Sequence, residues 1–177
     1  MKLLKHIIRA GALCGLLLTT AAAKAQTVQL KVLDWNVLSF EMTDKSNQID
    51  FIVDEYVDLI KAQNPDIVCI NELETGTSRM GKEILTELAS RLDMYPYFIM
   101  SYPKDVGFYG NGILSKYPIL EERSFRLGIP GRDYMRSFGY VRIRKQGHDI
   151  CFATTHLDHK ADDSLRIAQI REILRLT

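Results

Sequence analysis

The first half of the chain alternates short apolar runs with a segment of helical periodicity, and this alternation restricts the fold more than any other feature. The run Val28–Asn36 predicts a strand, and the continuous run Asp66–Ile70 predicts a second strand covered on both faces. Between them, apolar residues recur at the positions of one helix face: Ile49, Ile52, Val53, Tyr56, Val57 and Ile60. Asn64-Pro65 predicts the end of this helix.

The remaining patterns extend the same layered arrangement. A second helix is predicted over Arg79–Leu92, and a third begins near Ser164. Five further runs between Gly and Pro turns predict strands: Tyr97–Met100, Gly112–Ser115, Glu121–Leu127, Ser137–Ile143 and Asp149–Thr155. The order of strand, helix, strand, helix and then several strands predicts an α/β domain with a mixed sheet.

The N-terminus has the composition of a secretory signal peptide. Basic residues precede an apolar stretch that is short for a membrane span, and Ala23-Lys24-Ala25 fits a cleavage site. An uncleaved anchor helix is the alternative interpretation. We therefore expect residues 1–25 to be a signal peptide and residues 26–177 to form one domain, secreted or periplasmic, with no transmembrane segment after cleavage.

Signal removal changes the charge balance. Four of the 23 Lys and Arg residues lie in the first 25 positions and none of the 22 acidic residues does, so 19 basic residues face 22 acidic ones, a formal charge of −3. Non-specific nucleic-acid affinity comes from Lys and Arg neutralising phosphates. The overall composition therefore gives no support for polyanion binding, although it is compatible with a local basic patch.

The two cysteines beyond the signal, Cys69 and Cys151, each lie inside an apolar run. We predict two buried thiols that pack as small hydrophobic groups. The sequence has no C-x-x-C motif and no Cys/His spacing typical of a zinc site.

Three polar residues stand where predicted strands end: Asn36, Glu72 and His156. If these strands are neighbours and run in one direction, their side chains converge at one edge of the sheet. A carboxylate and an amide suit Mg²⁺, and a histidine can donate to an oxyanion or carry a proton, which together predict water attack on a phosphate ester. Individually, each residue is more typical of a turn, a solvated side chain or a structural histidine.

Four motifs in order resemble the endonuclease/exonuclease/phosphatase superfamily. They are Leu33-Asp-Trp-Asn36-Val, Asp66-Ile-Val-Cys-Ile-Asn-Glu72, Tyr109-Gly-Asn-Gly-Ile-Leu-Ser-Lys-Tyr-Pro-Ile119 and Thr155-His-Leu-Asp158. The resemblance implies a two-sheet α/β sandwich of the deoxyribonuclease I type and hydrolysis of phosphate esters with Mg²⁺, Mn²⁺ or Ca²⁺. Asn71 stands where many members have glutamine.

The same resemblance implies roles for individual residues. Glu72 and Asn36 correspond to residues at the metal, His156 and Asp158 to catalytic residues, and Asn111 and Arg136 to groups that face the substrate phosphate. Turn or solvated roles remain open for Asn111 and Arg136. We interpret Arg166 and Gln169 as structural and His159 as solvated.

The family's later G-D-x-N and S-D-H motifs do not occur before Thr177, so the chain matches about the first two-thirds of the family domain. We expect this part alone to be nearly inactive, to lack the second sheet, and to unfold or aggregate because the inner face of the first sheet is left uncovered. The expected partner is a phosphate-ester substrate (nucleic acid, a phospholipid headgroup or a small ester), with no stable protein partner. The alternative is a non-catalytic binding module on the same scaffold.

Overall fold

The structure is a computed structural model that describes residues 27–40, 49–128 and 135–177, so the predicted signal peptide lies outside the described residues. Within them the helices are α1 (Ile49–Gln63), α2 (Ile84–Leu92) and α3 (Ser164–Leu176). The strands are β1 (Val32–Asn36), β2 (Ile67–Thr75), β3 (Tyr95–Lys104), β4 (Gly107–Ser115), β5 (Ile119–Leu127), β6 (Arg136–Lys145) and β7 (His148–Thr155). None of these helices is long and apolar enough to span a membrane.

The strands form two sheets, which confirms the predicted two-sheet α/β architecture. The first sheet has the order β1-β2-β4-β3, with β1 parallel to β2 and the other pairs antiparallel. The second sheet has the antiparallel order β5-β6-β7. The expectation that the second sheet is missing is therefore wrong, because the hairpins of β5, β6 and β7 build a three-stranded sheet from the described residues.

Two apolar cores lie on opposite faces of the first sheet. On one face α1 and α2 bury a core that includes Val57, Ile60, Ile84 and Leu88. On the other face the two sheets bury a second core: Ile67, Cys69, Ile99, Ile113, Val141 and Ile143. The inner face of the first sheet is thus partly covered, and burial of this kind stabilises the sandwich by about 25 cal/mol per Å² of apolar surface.

Cys151 is exposed, although the sequence predicted a buried thiol. Cys69 is buried between the sheets, whereas Cys151 is exposed, and both thiols are free. Alternate residues of a strand point to opposite faces. On β7 the inward positions are taken by Ile150 and Phe152, which pack against the core between the sheets, so the intervening Cys151 faces outward.

Asp66 joins the two sheets just before β2. Its carboxylate accepts hydrogen bonds from Lys145 Nζ of β6 at 2.8 Å, from the Tyr117 hydroxyl at 2.8 Å and from the Lys31 backbone N–H at 2.8 Å. Burial alone would raise the pKa of Asp66, but these donors together lower it from 3.8 to about 2.

We expect this depressed pKa to make stability fall in acid. A carboxyl with a lowered folded-state pKa contributes stability above its unfolded-state pKa and loses it as the pH falls through the folded value. The free energy of unfolding should therefore drop between about pH 4 and pH 2, by on the order of 1 kcal/mol after allowance for solvent screening. Urea denaturation across this range measures it. Asp66→Asn should flatten the dependence, and Asp58→Asn, at an exposed position of α1, should not; equal profiles for the two variants would contradict the assignment.

Candidate active site

Glu72 lies at an irregularity in β2 that turns its side chain toward the other candidate residues. The register between β2 and β4 shifts between Ile70 and Leu73, and Glu72 has a φ of 60°. An extra residue of this kind is a β-bulge, which re-aims a side chain at the cost of local strain. The strand continues to Thr75, so Glu72 does not end β2 as the sequence pattern predicts.

Asn36, the last residue of β1, holds the Glu72 carboxylate. Its Nδ2 donates to Glu72 Oε1 at 2.9 Å, and its Oδ1 accepts from the Leu38 N–H at 2.9 Å. Because the backbone donor occupies the amide oxygen, it is the amide nitrogen that faces Glu72. The following turn, Leu38–Phe40, has a positive φ at all three residues and positions the Leu38 donor.

His156 reaches the same carboxylate from the second sheet. Its Nε2 lies 3.8 Å from Glu72 Oε1, although β7 and β2 belong to different sheets. The sequence predicted convergence of parallel neighbouring strands. β1 and β2 meet that condition, and His156 arrives by sheet-on-sheet packing instead.

Arg136 fixes the orientation of the His156 ring. Its Nη1 lies 3.2 Å from His156 Nδ1, and because a guanidinium can only donate, Nδ1 must be the acceptor and Nε2 carries the proton of the neutral ring. Burial lowers the pKa of His156, and the neighbouring Arg136 charge lowers it further, so the ring is neutral at pH 7. The N–H at Nε2 therefore points to the side of the ring nearest Glu72.

Arg136 also contacts two residues that the sequence interpretation did not place at the site. Its Nη2 lies 3.1 Å from Nδ1 of His159, so His159 is exposed as predicted but is hydrogen-bonded rather than merely solvated. The guanidinium also donates to the hydroxyl of Tyr109, whose pKa is raised by burial. Tyr109 precedes Asn111 by two residues on the same strand face, and this period of two is the sequence signal that could have indicated it.

Asn111 lies on β4 opposite the bulge, between the partners of Ile70 and Leu73. Its Nδ2 donates to Ser137 Oγ at 3.3 Å, which links the two sheets, and its buried Oδ1 has no hydrogen-bond partner. A buried acceptor without a partner is costly. Asn111 thus leaves one amide oxygen without a partner on the strand opposite the bulge.

Asp158 shapes the loop that follows His156. It is buried, its backbone N–H donates to Gln169 Oε1 of α3 at 2.9 Å, and its Oδ1 accepts from the Lys160 N–H at 2.8 Å. Arg166 Nη1 donates to the Asp158 carbonyl at 3.2 Å. Arg166 and Gln169 therefore anchor the loop to α3.

A divalent cation fits the donors at this edge. Within the part of the chain that the structure describes, no three His, Cys, Asp or Glu side chains converge as a complete ligand set. Mg²⁺ retains several waters and needs only one or two carboxylates. Glu72 supplies one carboxylate, and the partnerless amide oxygen of Asn111 is a second hard donor across the bulge.

A carboxylate, an imidazole and a guanidinium thus lie close together at one edge of a two-sheet α/β sandwich. The family model described as "Endonuclease/Exonuclease/phosphatase family" matches residues 35–176, and the chain belongs to this family. No curated protein sequence matched the chain.

Solved structures of the same fold resemble the chain at low sequence identity. An endonuclease/exonuclease/phosphatase family protein from Leptotrichia buccalis has 17% identity and a TM-score of 0.68, over 84% of this chain and 63% of that one. The human Nocturnin catalytic domain with bound sulfate has 19% identity and a TM-score of 0.64, over 83% and 56%. D. rerio TDP2 complexed with single-strand DNA product has 19% identity and a TM-score of 0.60, over 82% and 53%. The chain thus spans between 53% and 63% of these structures.

Proposed function

We propose that this chain carries part of the active site of an exported, Mg²⁺-dependent phosphoesterase. The observation that supports this most directly is that two side chains meet at the carboxylate of Glu72 in β2. Asn36 reaches it from β1 of the same sheet, and His156, which directly follows β7, reaches it from the other sheet. Mn²⁺ and Ca²⁺ are alternative ions for the same donors.

The proposed mechanism assigns each residue a separate task. Bound at Glu72, a divalent cation would lower the pKa of water and offset charge on the phosphoryl oxygens. Asn36 holds the carboxylate in place, and the N–H at His156 Nε2 donates to a phosphoryl oxygen as negative charge develops there. Arg136 keeps the His156 ring in this tautomer and faces the phosphate, and the Asn111 amide oxygen, an acceptor, would hold the cation rather than the phosphate. Asp158 keeps the His156 loop in position.

The substrate class is a phosphate ester, and a diester is favoured over a monoester. Tyr102 and Lys104 contact the Tyr109 ring next to Arg136, so a second ester group on the phosphate has partners beyond Glu72. TDP2 is described with a DNA product and Nocturnin with a sulfate, and these neighbours support phosphate-ester chemistry in general. The sequence of residues 1–25 supports export to the periplasm or medium.

The first test is metal-dependent hydrolysis by the full-length polypeptide that contains these residues. Bis(p-nitrophenyl) phosphate should be hydrolysed with Mg²⁺, EDTA should abolish the rate, and added Mg²⁺ should restore it. A folded protein without activity on phosphodiesters or phosphomonoesters would favour the non-catalytic binding module.

His156→Asn should lower kcat by about 100-fold, because a positioned proton donor contributes at least this much. KM should change little, since the interaction strengthens in the transition state rather than in the bound ground state. His148→Asn is the matched control, because His148 is exposed at the opposite end of β7. Equal activity of the two variants would remove His156 from the mechanism.

A further inference from the structure

Two cations share one buried carboxylate next to the candidate active site. The Glu74 side chain is fully buried, and its Oε1 accepts from Arg79 Nη2 at 2.7 Å and from Lys104 Nζ. Thr77 Oγ1 donates to Oε2 at 2.9 Å. Together they form the Glu74 cluster, which consists of Glu74, Thr77, Arg79 and Lys104.

The charges of the Glu74 cluster do not cancel. A buried carboxylate needs a paired cation because its desolvation is expensive, and one cation is enough to neutralise it. The second leaves a net charge of +1. The side chains of Arg79 and Lys104 are 41% and 38% exposed, so this positive charge faces solvent.

The Glu74 cluster adjoins the candidate active site on two sides. Arg79 Nη2 donates to the Ser39 carbonyl at 3.1 Å, within the turn that follows Asn36. Lys104 Nζ lies 5.6 Å from the centre of the Tyr109 ring, and Tyr109 accepts a hydrogen bond from Arg136. The Tyr102 and Tyr109 rings stack at 5.0 Å and form an aromatic wall between Lys104 and Arg136.

This arrangement places two separate positive positions on either side of the tyrosine pair. Arg136 and His156 lie at the proposed scissile phosphate, and Lys104 with Arg79 lies beyond the tyrosine pair. The charges of Lys104, Arg136, Glu74 and Glu72 all influence the pKa of the Tyr102 hydroxyl, so Tyr102 lies near both positive positions. A ligand that reaches both positions must therefore carry two anionic groups, one on each side of the tyrosine pair.

We propose that Arg79 and Lys104 bind a second phosphate of the substrate, one unit away from the phosphate that is hydrolysed. This inference rests on the proposed function and narrows its substrate to compounds with at least two phosphates, such as a nucleoside bisphosphate or a short single-stranded oligonucleotide. The sugar or base between the phosphates lies against Tyr102, which is partly exposed and backed by the buried Tyr109 ring, and a planar group suits this surface. The overall charge of −3 beyond residue 25 does not oppose this, because the positive charge is local.

The experiment compares inhibitors of bis(p-nitrophenyl) phosphate hydrolysis in the full-length polypeptide. The inhibitors are thymidine 5′-phosphate, thymidine 3′-phosphate and thymidine 3′,5′-bisphosphate, so either phosphate can occupy the site of hydrolysis. The bisphosphate should bind about tenfold more tightly than either monophosphate, because the second phosphate gains charge-assisted hydrogen bonds. In Lys104→Met, the ratio of the bisphosphate affinity to the monophosphate affinity should fall to about one.

Lys104→Met keeps the aliphatic stem on the Tyr109 ring and leaves Arg79 paired with Glu74, so the carboxylate retains a partner. Arg79→Met is an independent second variant that should reduce the ratio in the same way. Lys116→Met is the matched control at the far end of β4, where Lys116 contacts Asn64, and it should retain both the ratio and the basal activity.

The possible outcomes separate the subsite from the proposed function. A wild-type ratio near one, or a ratio that survives both variants, overturns the subsite while hydrolysis stands. Absence of hydrolysis overturns the proposed function, and calorimetric titration with the same three nucleotides then decides the subsite by itself. The 5′-phosphorylated dithymidylate distinguishes the sources: preference for it as well as the bisphosphate indicates an oligonucleotide, and preference for the bisphosphate alone indicates a terminal phosphate.

Discussion

Glu72→Gln is expected to lower kcat/KM for a phosphodiester by about 10³-fold or more in the full-length polypeptide. Loss of an outer-shell partner of a metal ligand typically costs 10–100-fold, and Glu72 is itself the carboxylate that contacts both Asn36 and His156. The glutamine removes the negative charge that would hold the cation. If the glutamine NH₂ group faces Asn36 Nδ2, two donors meet. If the glutamine oxygen faces Asn36 Nδ2, it is a weaker acceptor than the carboxylate.

Steady-state kinetics over a Mg²⁺ titration measures this prediction. The variant should need a much higher Mg²⁺ concentration or fail to respond to the ion at all. Glu87→Gln is the control, because Glu87 is a partly exposed glutamate of α2 that pairs with Arg91 at 3.7 Å. Wild-type rates and an unchanged Mg²⁺ response for Glu72→Gln would refute the proposed metal site, whatever the family membership.

Gly107→Ala is expected to destabilise the protein by about 3 kcal/mol, the largest effect on folding that we predict. A Cβ at this position would lie 2.2 Å from the Thr75 carbonyl oxygen, 2.4 Å from the carbonyl carbon of Gly76 and 2.5 Å from the Thr77 nitrogen. All three are backbone atoms, so no side-chain rotation relieves the contact. The β3–β4 hairpin would have to separate from the segment that follows β2.

Urea denaturation of the full-length polypeptide measures the change. Gly81→Ala is a matched control, since a Cβ there meets no atom within 4 Å, and it should alter the free energy of unfolding by less than about 1 kcal/mol. Comparable losses in the two variants would show that the close approach of the hairpin does not limit stability. Because Thr77 belongs to the Glu74 cluster, Gly107→Ala should also weaken the bisphosphate preference.

The sequence predicted the strand–helix order well because apolar periodicity reports which face of each element is buried. It predicted that Asn36, Glu72 and His156 meet, and the structure brings them together, although Glu72 lies inside β2 rather than at its end. Their actual geometry depends on the bulge at Glu72 and on packing between two sheets, and both are tertiary features that a local pattern does not encode. The predicted absence of the second sheet came from the missing later motifs of the family, and it is wrong because three strands that the local patterns had predicted pair as β5-β6-β7.

The Glu74 cluster could not be predicted because its members look like ordinary surface residues. Glu74, Arg79 and Lys104 lie in polar stretches, and the predicted helix from Arg79 would have placed that arginine in a regular element. In the structure α2 begins at Ile84. The preceding segment is instead held by side-chain bonds, including Thr77 Oγ1, which accepts from the Met80 N–H at 3.1 Å.

The turn over Leu38–Phe40 makes the chemistry of Glu72 depend on aromatic contacts elsewhere. Three successive residues with positive φ are intrinsically unfavourable for non-glycine residues. The turn persists because Phe40 is buried against Tyr56 of α1 at 4.8 Å between ring centres, and Tyr56 in turn stacks on Trp35 at 4.4 Å. We expect damage to this trio of rings to release the turn and let the Asn36 amide rotate away from Glu72, which under the proposed function lowers kcat.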